Sequence, residues 1–559
     1  MRFCCLQFMT LNKNYIGALF CFMTLSCAPL WAQSPAANPA ATSPSTVLSP
    51  SPNSSENKNA DPPTPLEAAT ELYRRGKFGE AEAAFRAIIQ SDPQSAPAYV
   101  GLFRVQMRQR RVDDAAVTVK KAAEVAPNSD AVRTAQAELL FRRGKLADAQ
   151  AGFTTLVKAG TSDARAYLGL GRIYWASSLL QHGKLMFEMA NEKDPFDPEV
   201  RKQWLFTLTL KERIRELQGY LANGNDDDED EREHLEASLT EMNEVAEKSS
   251  SGCRLVSSST EAHIPMEKMI YGAQRIRGYG LKVQLNDAKS RLLIDSGATG
   301  IIVSRKVAEK AGIESIAKTD VHGIGDKGAA AGFIGAAKSI KIGDLEFQGC
   351  HVEVIEQSSV ADGDGLIGSD VFSHFLVNIN FPDNKLDLAP LPPRPPPTAA
   401  EKALAEKYPK IARFRDAVVP AELKDYTRVY RFGHMLLIPT RINELPAELF
   451  LIDTGAFSDT ISPAAAREVT KVRADSDFKV KGLNGSVNNV FTADNLTLTF
   501  SHFRQPAKDI VAFDTTGMSN SAGAEISGML GFNMLYQMQV KIDYRDGLVD
   551  FVYEPNRFH

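Results

Sequence analysis

Between residues 66 and 223 the sequence repeats with a fixed interval. Pro93 and Pro127 are 34 residues apart, and Pro195 follows 68 residues later, twice that spacing. Ala81, Ala115 and Ala149 keep the same interval of 34, as do Phe85, Val119 and Phe153, while Gly76 and Gly144 stand 68 apart. A turn glycine, a small residue where two helices cross closely, a large apolar packer and a terminal proline therefore return in one order. One supersecondary unit copied in this way cannot bury its own apolar face, so successive copies must stack into a curved solenoid. An irregular helical bundle would not hold such a clock.

The blocks that carry this register are EAATELYRRGKFGEAEAAFRAIIQSDP, AYVGLFRVQMRQRRVDDAAVTVKKAAEVAP, AELLFRRGKLADAQAGFTTLV and AYLGLGRIYWASSLLQHGKLMFEMANEKDP. They resemble tetratricopeptide repeats. The third block lacks the terminal proline, and the fourth has Gly183 where the small alanine is expected. The resemblance implies a concave face that takes a peptide or protein partner.

Proline and cysteine divide the rest of the chain. Of 29 prolines, eight fall in residues 34–65 and six in residues 390–397, and both windows read as linkers. The first is rich in Pro, Ala, Ser and Asn and buries too little surface to offset its ordering entropy, so a disordered tether is expected. Ahead of it, the apolar run at residues 16–25 follows Arg2 and Lys13 and precedes Leu30-Trp31-Ala32. That is a secretory signal pattern with cleavage after Ala32. An uncleaved membrane anchor and a lipid-modified Cys27 are the alternatives. Four of six cysteines lie in the first 27 residues, which leaves Cys253 and Cys350 for the body of the protein. Export to an oxidising compartment, the bacterial periplasm or the exterior, would let them pair, and two buried free thiols are the other reading. The acid run at residues 225–233 reads as a solvated loop or helix cap, since consecutive acids cannot all face one ion. Residues 235–248 are expected to add one more helix.

From about residue 264 the periodicity becomes that of strands, and one pattern occurs twice. LKVQLND and RLLID lead into Asp295-Ser296-Gly297-Ala298-Thr299-Gly300, and MLLIPTRIN and AELFLID lead into Asp453-Thr454-Gly455-Ala456-Phe457-Ser458. Each copy then carries an apolar pair followed by glycine, Gly365-Leu366-Ile367-Gly368 and Gly528-Met529-Leu530-Gly531, and ends in HFLVNINFPDNKLDL or QMQVKIDYRDGLVDF. An apolar strand, Asp-Ser/Thr-Gly-Ala, the later glycine marker and the terminal strand together resemble the retropepsin-like aspartic peptidases, here in tandem.

That resemblance implies a multidomain α + β chain, a helical solenoid followed by two all-β units. It implies Asp295 and Asp453 as catalytic carboxylates. Ser296 and Thr454 would lock the two loops together, and Gly297 and Gly455 would let backbone approach the carboxylates. Two facing carboxylates cannot both ionise, so they share a proton, and one acts as general base while the other acts as acid. One unit supplies one Asp, so the two units are expected to pair within the chain, the alternative being pairing with a second chain. Flaps are expected at residues 321–335 and 480–490. Phe457 departs from the family pattern, as does Phe532-Asn533 where the first copy has Ser369-Asp370.

The resulting layout is a signal peptide at 1–32, a linker at 33–65, repeats at 66–223 and an acidic linker with a helix at 224–263. The first β unit spans 264–389, a proline-rich linker with a helix at its residues 399–408 spans 390–427, and the second β unit spans 428–559. The function expected is that of an exported aspartic endopeptidase with a repeat domain for protein interaction. A peptide-binding scaffold with little or no catalysis is the competing class. A net charge of -5 speaks against a nucleic-acid partner. No metal or organic cofactor is implied, since nine histidines include no His-x-x-x-His pair, and neither a phosphate-binding loop nor a Gly-x-Ser-x-Gly elbow occurs. His322 and His434 read as structural or solvated. Mass spectrometry of the secreted protein is expected to find Gln33 as the first residue. An intact N-terminus would favour the anchor.

Overall fold

A computed structural model describes residues 62–222, 229–248, 253–271, 275–326, 328–356, 363–407, 414–474 and 480–553. The signal, nearly all of the tether and the first part of the acid run lie outside these residues.

Ten helices run from Pro65–Arg74 to Leu210–Ala222 among the described residues, and the 34-residue interval is written into their turns. Gly76, Arg110, Gly144 and Ser178 all adopt left-handed backbone, with φ of 78°, 62°, 71° and 61°. Each follows a helix whose last carbonyls are satisfied in the same way. Lys77, Arg111, Lys145 and Leu179 donate their N–H groups to Leu72, Gln106, Leu140 and Tyr174 at 2.8–3.0 Å. This is a Schellman closure repeated four times, and only two of the four copies use glycine, the residue with no Cβ penalty there. The sequence therefore displayed half of the turns.

Packing between repeats follows a large-to-small rule. The ring of Phe85 lies where a side chain on Gly101 would sit, 2.3 Å from an ideal Cβ, and Phe153 stands 2.2 Å from the same point on Gly169. In the copy between them, Val119 and Ala135 are buried in one cluster, so the volume is shared differently. Gly183 is explained as well. A Cβ there would lie 3.1 Å from the Gly171 carbonyl and 3.2 Å from Trp175, a close approach.

The inner helices are joined by buried ions as well as by apolar contact. Arg165 reaches Asp197 at 2.7 Å and Tyr73 at 2.6 Å, Arg108 reaches Glu199 at 2.6 Å, and Arg104 reaches Asp163 at 3.2 Å. Burial alone would raise the Glu199 carboxyl, but Arg108 and Arg172 outweigh it and hold the group far below the ordinary carboxylate range. These bonds tie the first and second repeats to the fourth and to helix Pro198–Phe206, which draws the solenoid into a tight curve.

The β region contains the same ladder twice. In the first unit, strand Ala288–Asp295 pairs antiparallel with Arg275–Leu285 and parallel with Gly365–Gly368. The latter pairs antiparallel with Ile301–Ser304, which runs parallel to Leu345–Ile355. In the second, Glu448–Ile452 pairs with Met435–Ile442 and parallel with Gly528–Leu530. That strand pairs antiparallel with Thr460–Ile461, which runs parallel to Ile510–Phe513. The two copies join edge to edge. Strands Phe375–Asn380 and Met538–Asp543 pair antiparallel, with Val377 opposite Ile542. Each is flanked by its hairpin partner and then by Ala262–Tyr271 or Thr427–Arg428, so the order across the join is symmetric. One apolar core, from Cys253 to Phe551, serves both units.

The connecting segments are pinned. Cys253 and Cys350 form a disulfide, and Arg254–Leu255 pairs with the first unit, so the residues from 253 onward belong to that unit rather than to the acidic linker. Helix Glu229–Lys248 begins earlier than the sequence indicated, and its Met242 and Val245 pack on Ile316 and Ala317. The proline-rich linker folds back, with Arg394 bonded to Asp546 and to the Val418 carbonyl at 3.2 Å. Asp416 accepts the Gln181 N–H at 2.8 Å and holds His182 Nδ1 at 2.6 Å, and so caps helix Leu180–Lys193 from outside.

Phe153 is fully buried on Gly169, so Phe153→Ala is expected to destabilise the repeats by about 3–5 kcal/mol, read as the change in the urea midpoint followed by far-UV circular dichroism.

Candidate active site

Each carboxylate is delivered by a buried strand. Leu292 and Ile294 lock Ala288–Asp295 into the shared core, and Phe450 and Ile452 do the same for Glu448–Ile452. The parallel neighbour then fixes the strand end. Asp295 stands opposite Gly368 in register, and the Asp453 N–H donates to the Leu530 carbonyl at 3.0 Å. The glycine marker of each copy thus forms the wall beside its Asp.

The loops that follow are cradles. Asp295 Oδ1 accepts the N–H groups of Gly297 at 2.8 Å and Ala298 at 3.1 Å. Asp453 Oδ1 accepts those of Gly455 and Ala456, both at 2.9 Å. Between the loops runs a reciprocal lock. Thr454 Oγ1 accepts the Ser296 N–H at 3.0 Å and donates to the Ile294 carbonyl at 3.2 Å. Ser296 Oγ accepts the Thr454 N–H at 3.0 Å and donates to the Ile452 carbonyl at 2.8 Å. Both residues are 1% exposed, so a missing partner would leave polar groups buried and unpaired.

The glycines are required by the opposite unit. An ideal Cβ on Gly297 would lie 2.7 Å from the Asp453 carboxyl carbon, and one on Gly455 would lie 2.3 Å from that of Asp295. All six residues singled out in the sequence therefore meet at one point within a single chain. Burial pushes the Asp295 carboxyl well above the ordinary range, and the charge and hydrogen bond of Asp453 push it further. Burial also raises Asp453, against the lowering pull of Ala456, Asp295 and Gly455. The pair thus holds a proton into conditions where an isolated aspartate has lost it, and the protonation belongs to the pair.

The departures in the second copy have a structural account. In the first unit Asp370 Oδ1 accepts the Gly300 N–H at 3.1 Å, joining marker to loop. In the second unit Asn533 occupies that place, and the join is made from the other side, with Asp459 Oδ1 accepting the Gly531 N–H at 2.7 Å. Sequence reading noted Asp370 only as a difference between the copies and missed Asp459. Asp459 follows its motif in the sequence and was available as a signal, but nothing linear indicated that a carboxylate had changed sides. Phe457, freed from the buried role of Thr299, is 39% exposed.

Flap segments lie at both expected places. Ser315–Val321 and Ala330–Ile342 form the first hairpin, and Lys481–Gly482 with Gly485–Ser486 the second. Their tips interlock. The Asn484 N–H donates to the Ile324 carbonyl at 2.9 Å, the Asp326 N–H to the Ser486 carbonyl at 3.2 Å, and the Asn488 N–H to Asp326 Oδ2 at 2.7 Å. Leu483 packs in the apolar cluster beside Ala298, and Ile324 in the cluster beside Ala456, so each tip reaches the opposite unit. His322 adjoins the first tip, where burial holds its imidazole below the ordinary range. His434 lies in the turn between strands Tyr430–Phe432 and Met435–Ile442.

Burial raises Asp459 to about 6, against the lowering pull of the Gly531 N–H. A carboxyl raised in the fold contributes stability that is complete below its unfolded value of about 4 and is lost as pH rises through its folded value. Asp459→Asn keeps the acceptor without the titration. It is expected to match the parent at pH 4 and to exceed it by on the order of 1 kcal/mol at pH 7, in urea melts at the two pH values.

With the geometry fixed, comparison with known proteins adds the family. Residues 281–371 match the family model described as aspartyl protease, and residues 72–139 and 134–182 match two models described as tetratricopeptide repeat. The protease match includes Asp295 and ends before Asp453. The chain is 32% identical over 108 residues to the UBA domain-containing protein Mud1 of Schizosaccharomyces pombe, covering 19% of this chain and 31% of that protein. It is 34% identical over 108 residues to DNA damage-inducible protein 1 of Neurospora crassa, covering 19% and 24%. It thus spans less than a third of the length of either curated relative. Among solved structures, the aspartic proteinase from Irpex lacteus aligns with a TM-score of 0.33 and 11% identity, over 53% of this chain and 98% of that one. The chain carries tetratricopeptide repeats joined to a retropepsin-like aspartyl-protease domain.

Proposed function

We propose that the protein is an exported aspartic endopeptidase whose two β units supply one carboxylate each. The observation that carries this reading is the mutual fit of the two loops, in which Gly297 and Gly455 each leave room only for the other unit's Asp. Asp295 and Asp453 share one proton because both are buried and each disfavours the other's charge. The ionised member draws a proton from a water, which attacks the peptide carbonyl, and the protonated member donates to the carbonyl oxygen. The proton taken from water then passes to the leaving amine as the C–N bond breaks, and the carboxylate that gave up its proton takes one back from a hydroxyl of the tetrahedral intermediate, which restores the singly protonated pair. The chemistry draws only on these carboxylates. The interlocked flaps would have to part to admit an extended peptide and would exclude water once closed over it.

The repeats are read as the part that takes a protein partner or orients a protein substrate. Their inner face is already occupied by the ion network at Arg104, Arg108 and Arg165, so such a partner is expected on another face. Export is supported by the signal pattern and by the Cys253–Cys350 bridge, which suits an oxidising compartment. A binding role without turnover is favoured by one feature, the seating of Leu483 and Ile324 in the apolar clusters beside the two Asp loops.

Asp295→Asn and Asp453→Asn are each expected to lower kcat on a peptide library by about 10²–10⁴-fold, with the fold intact by circular dichroism. Activity of the parent is expected to fall as pH rises through the upper step of the raised pair, so the profile leans to acid. Equal turnover by parent and both variants would remove the peptidase reading and leave the binding one.

A further inference from the structure

The two halves of the site are supported differently. In the first unit, the strands that carry Asp295 are backed by the shared core on one face and by a small cluster, Leu293, Ile302, Val321 and Leu366, on the other. Neither cluster contains a repeat residue. In the second unit, Leu449, Leu451 and Met529 of the strands that carry Asp453 share one buried cluster with Phe141, Phe153 and Ile173 of the third and fourth repeats. One turn supplies the polar grip. Lys145 pairs with Glu448 at the start of the strand, and Glu448 in turn accepts from Ser527 Oγ at 2.9 Å. The Glu525 N–H donates to the Arg142 carbonyl at 2.9 Å, and Arg142 Nη1 donates to the Ser519 carbonyl at 3.2 Å. Gly144 lies so close that an ideal Cβ would stand 3.0 Å from the Glu525 carbonyl. Position 290, in register with Glu448 across the duplication, is a serine, and its side chain has no such partner.

We propose that residues 142–145, the left-handed turn of the third repeat, are a positioning element for Asp453. The repeat domain is then part of the scaffold of the dyad. It fixes both strands beneath one carboxylate, Glu448–Ile452 through Lys145 and the segment entering Gly528–Leu530 through Arg142, while the other carboxylate stands on its own unit. This rests on the peptidase reading for its consequence but not for its geometry.

The test uses the full chain with Lys145→Met, Arg142→Met and Lys145→Arg. Hydrogen exchange is read at residues 449–453 and 528–531, with residues 290–295 and 365–368 as the internal control. Both methionine variants are expected to exchange at least about tenfold faster in the second unit's segments, with the control unchanged and Lys145→Arg at the parent rate. Unchanged exchange, or an equal rise in both sets of segments, overturns the proposal. A statine-containing peptide, titrated calorimetrically, is expected to bind the methionine variants at least about tenfold more weakly than the parent, with Lys145→Arg restoring affinity. Equal affinity in the presence of faster exchange would also overturn it, since the grip would then not reach the dyad. A parent that binds no such peptide counts against the peptidase reading, and the exchange result then decides the brace alone.

Discussion

Two hydroxyls from opposite halves of the chain hold the site together. Ser296 and Thr454 each accept the other's backbone N–H and donate to the carbonyl that precedes the other's Asp. Every donor and acceptor at the crossing is therefore used, in a place closed to water. The arrangement works only if the two loops meet at one distance, and that distance also brings each glycine against the opposite carboxyl. The lock and the dyad are one constraint, and the remainder of the β region can be read as what allows it to be met.

Meeting it requires two similar units to approach face to face inside one chain. The antiparallel join of Phe375–Asn380 with Met538–Asp543 fixes their orientation, because its register admits no rotation and no slip without exposing one face of each strand. The common core makes the join stiff. Across it, Ser369 of the first unit and Tyr544 of the second share a buried hydrogen bond. Burying two acids in such a place costs free energy, and the N–H groups that cradle Oδ1 of each offset part of it. What is not offset appears as raised carboxyl pKa values, the property that acid–base work by carboxylates needs.

The duplication is not symmetric in its surroundings. The first unit is tied to the end of the repeat region through Leu217, Leu221 and helix Glu229–Lys248, which share a buried cluster with Ile316 and Ala317 on the strand that leads into its flap. The second shares a buried apolar cluster with the third and fourth repeats, and the linker adds Asp416 on helix Leu180–Lys193. A solenoid of this kind ordinarily offers its inner face to others. Here the inner face is filled by buried ion pairs, which need all their partners in place and so resist opening.

Much of this was legible in order along the chain. The 34-residue interval, the strand-like alternation and the two Asp-Ser/Thr-Gly-Ala motifs are local patterns, set by which face of each element must be buried, and a linear reading finds such patterns. The six residues of the loops were named from them. Contacts that depend on which surfaces meet had no linear trace. Arg110 and Ser178 hide two of the four left-handed turns, because the closure is made by backbone bonds that any residue supplies at some cost. Asp459 replaces Asp370 from the loop that follows the Asp motif, which alters no spacing in the motif. Leu483 and Ile324 read as ordinary flap residues until their tips cross. Sequence by itself determined the repeat, the two copies and the identity of the paired acids. Only the tertiary structure decided that both acids face each other in one chain and that the repeats carry one of them, because long-range packing is chosen by complementary surfaces and not by neighbours in sequence.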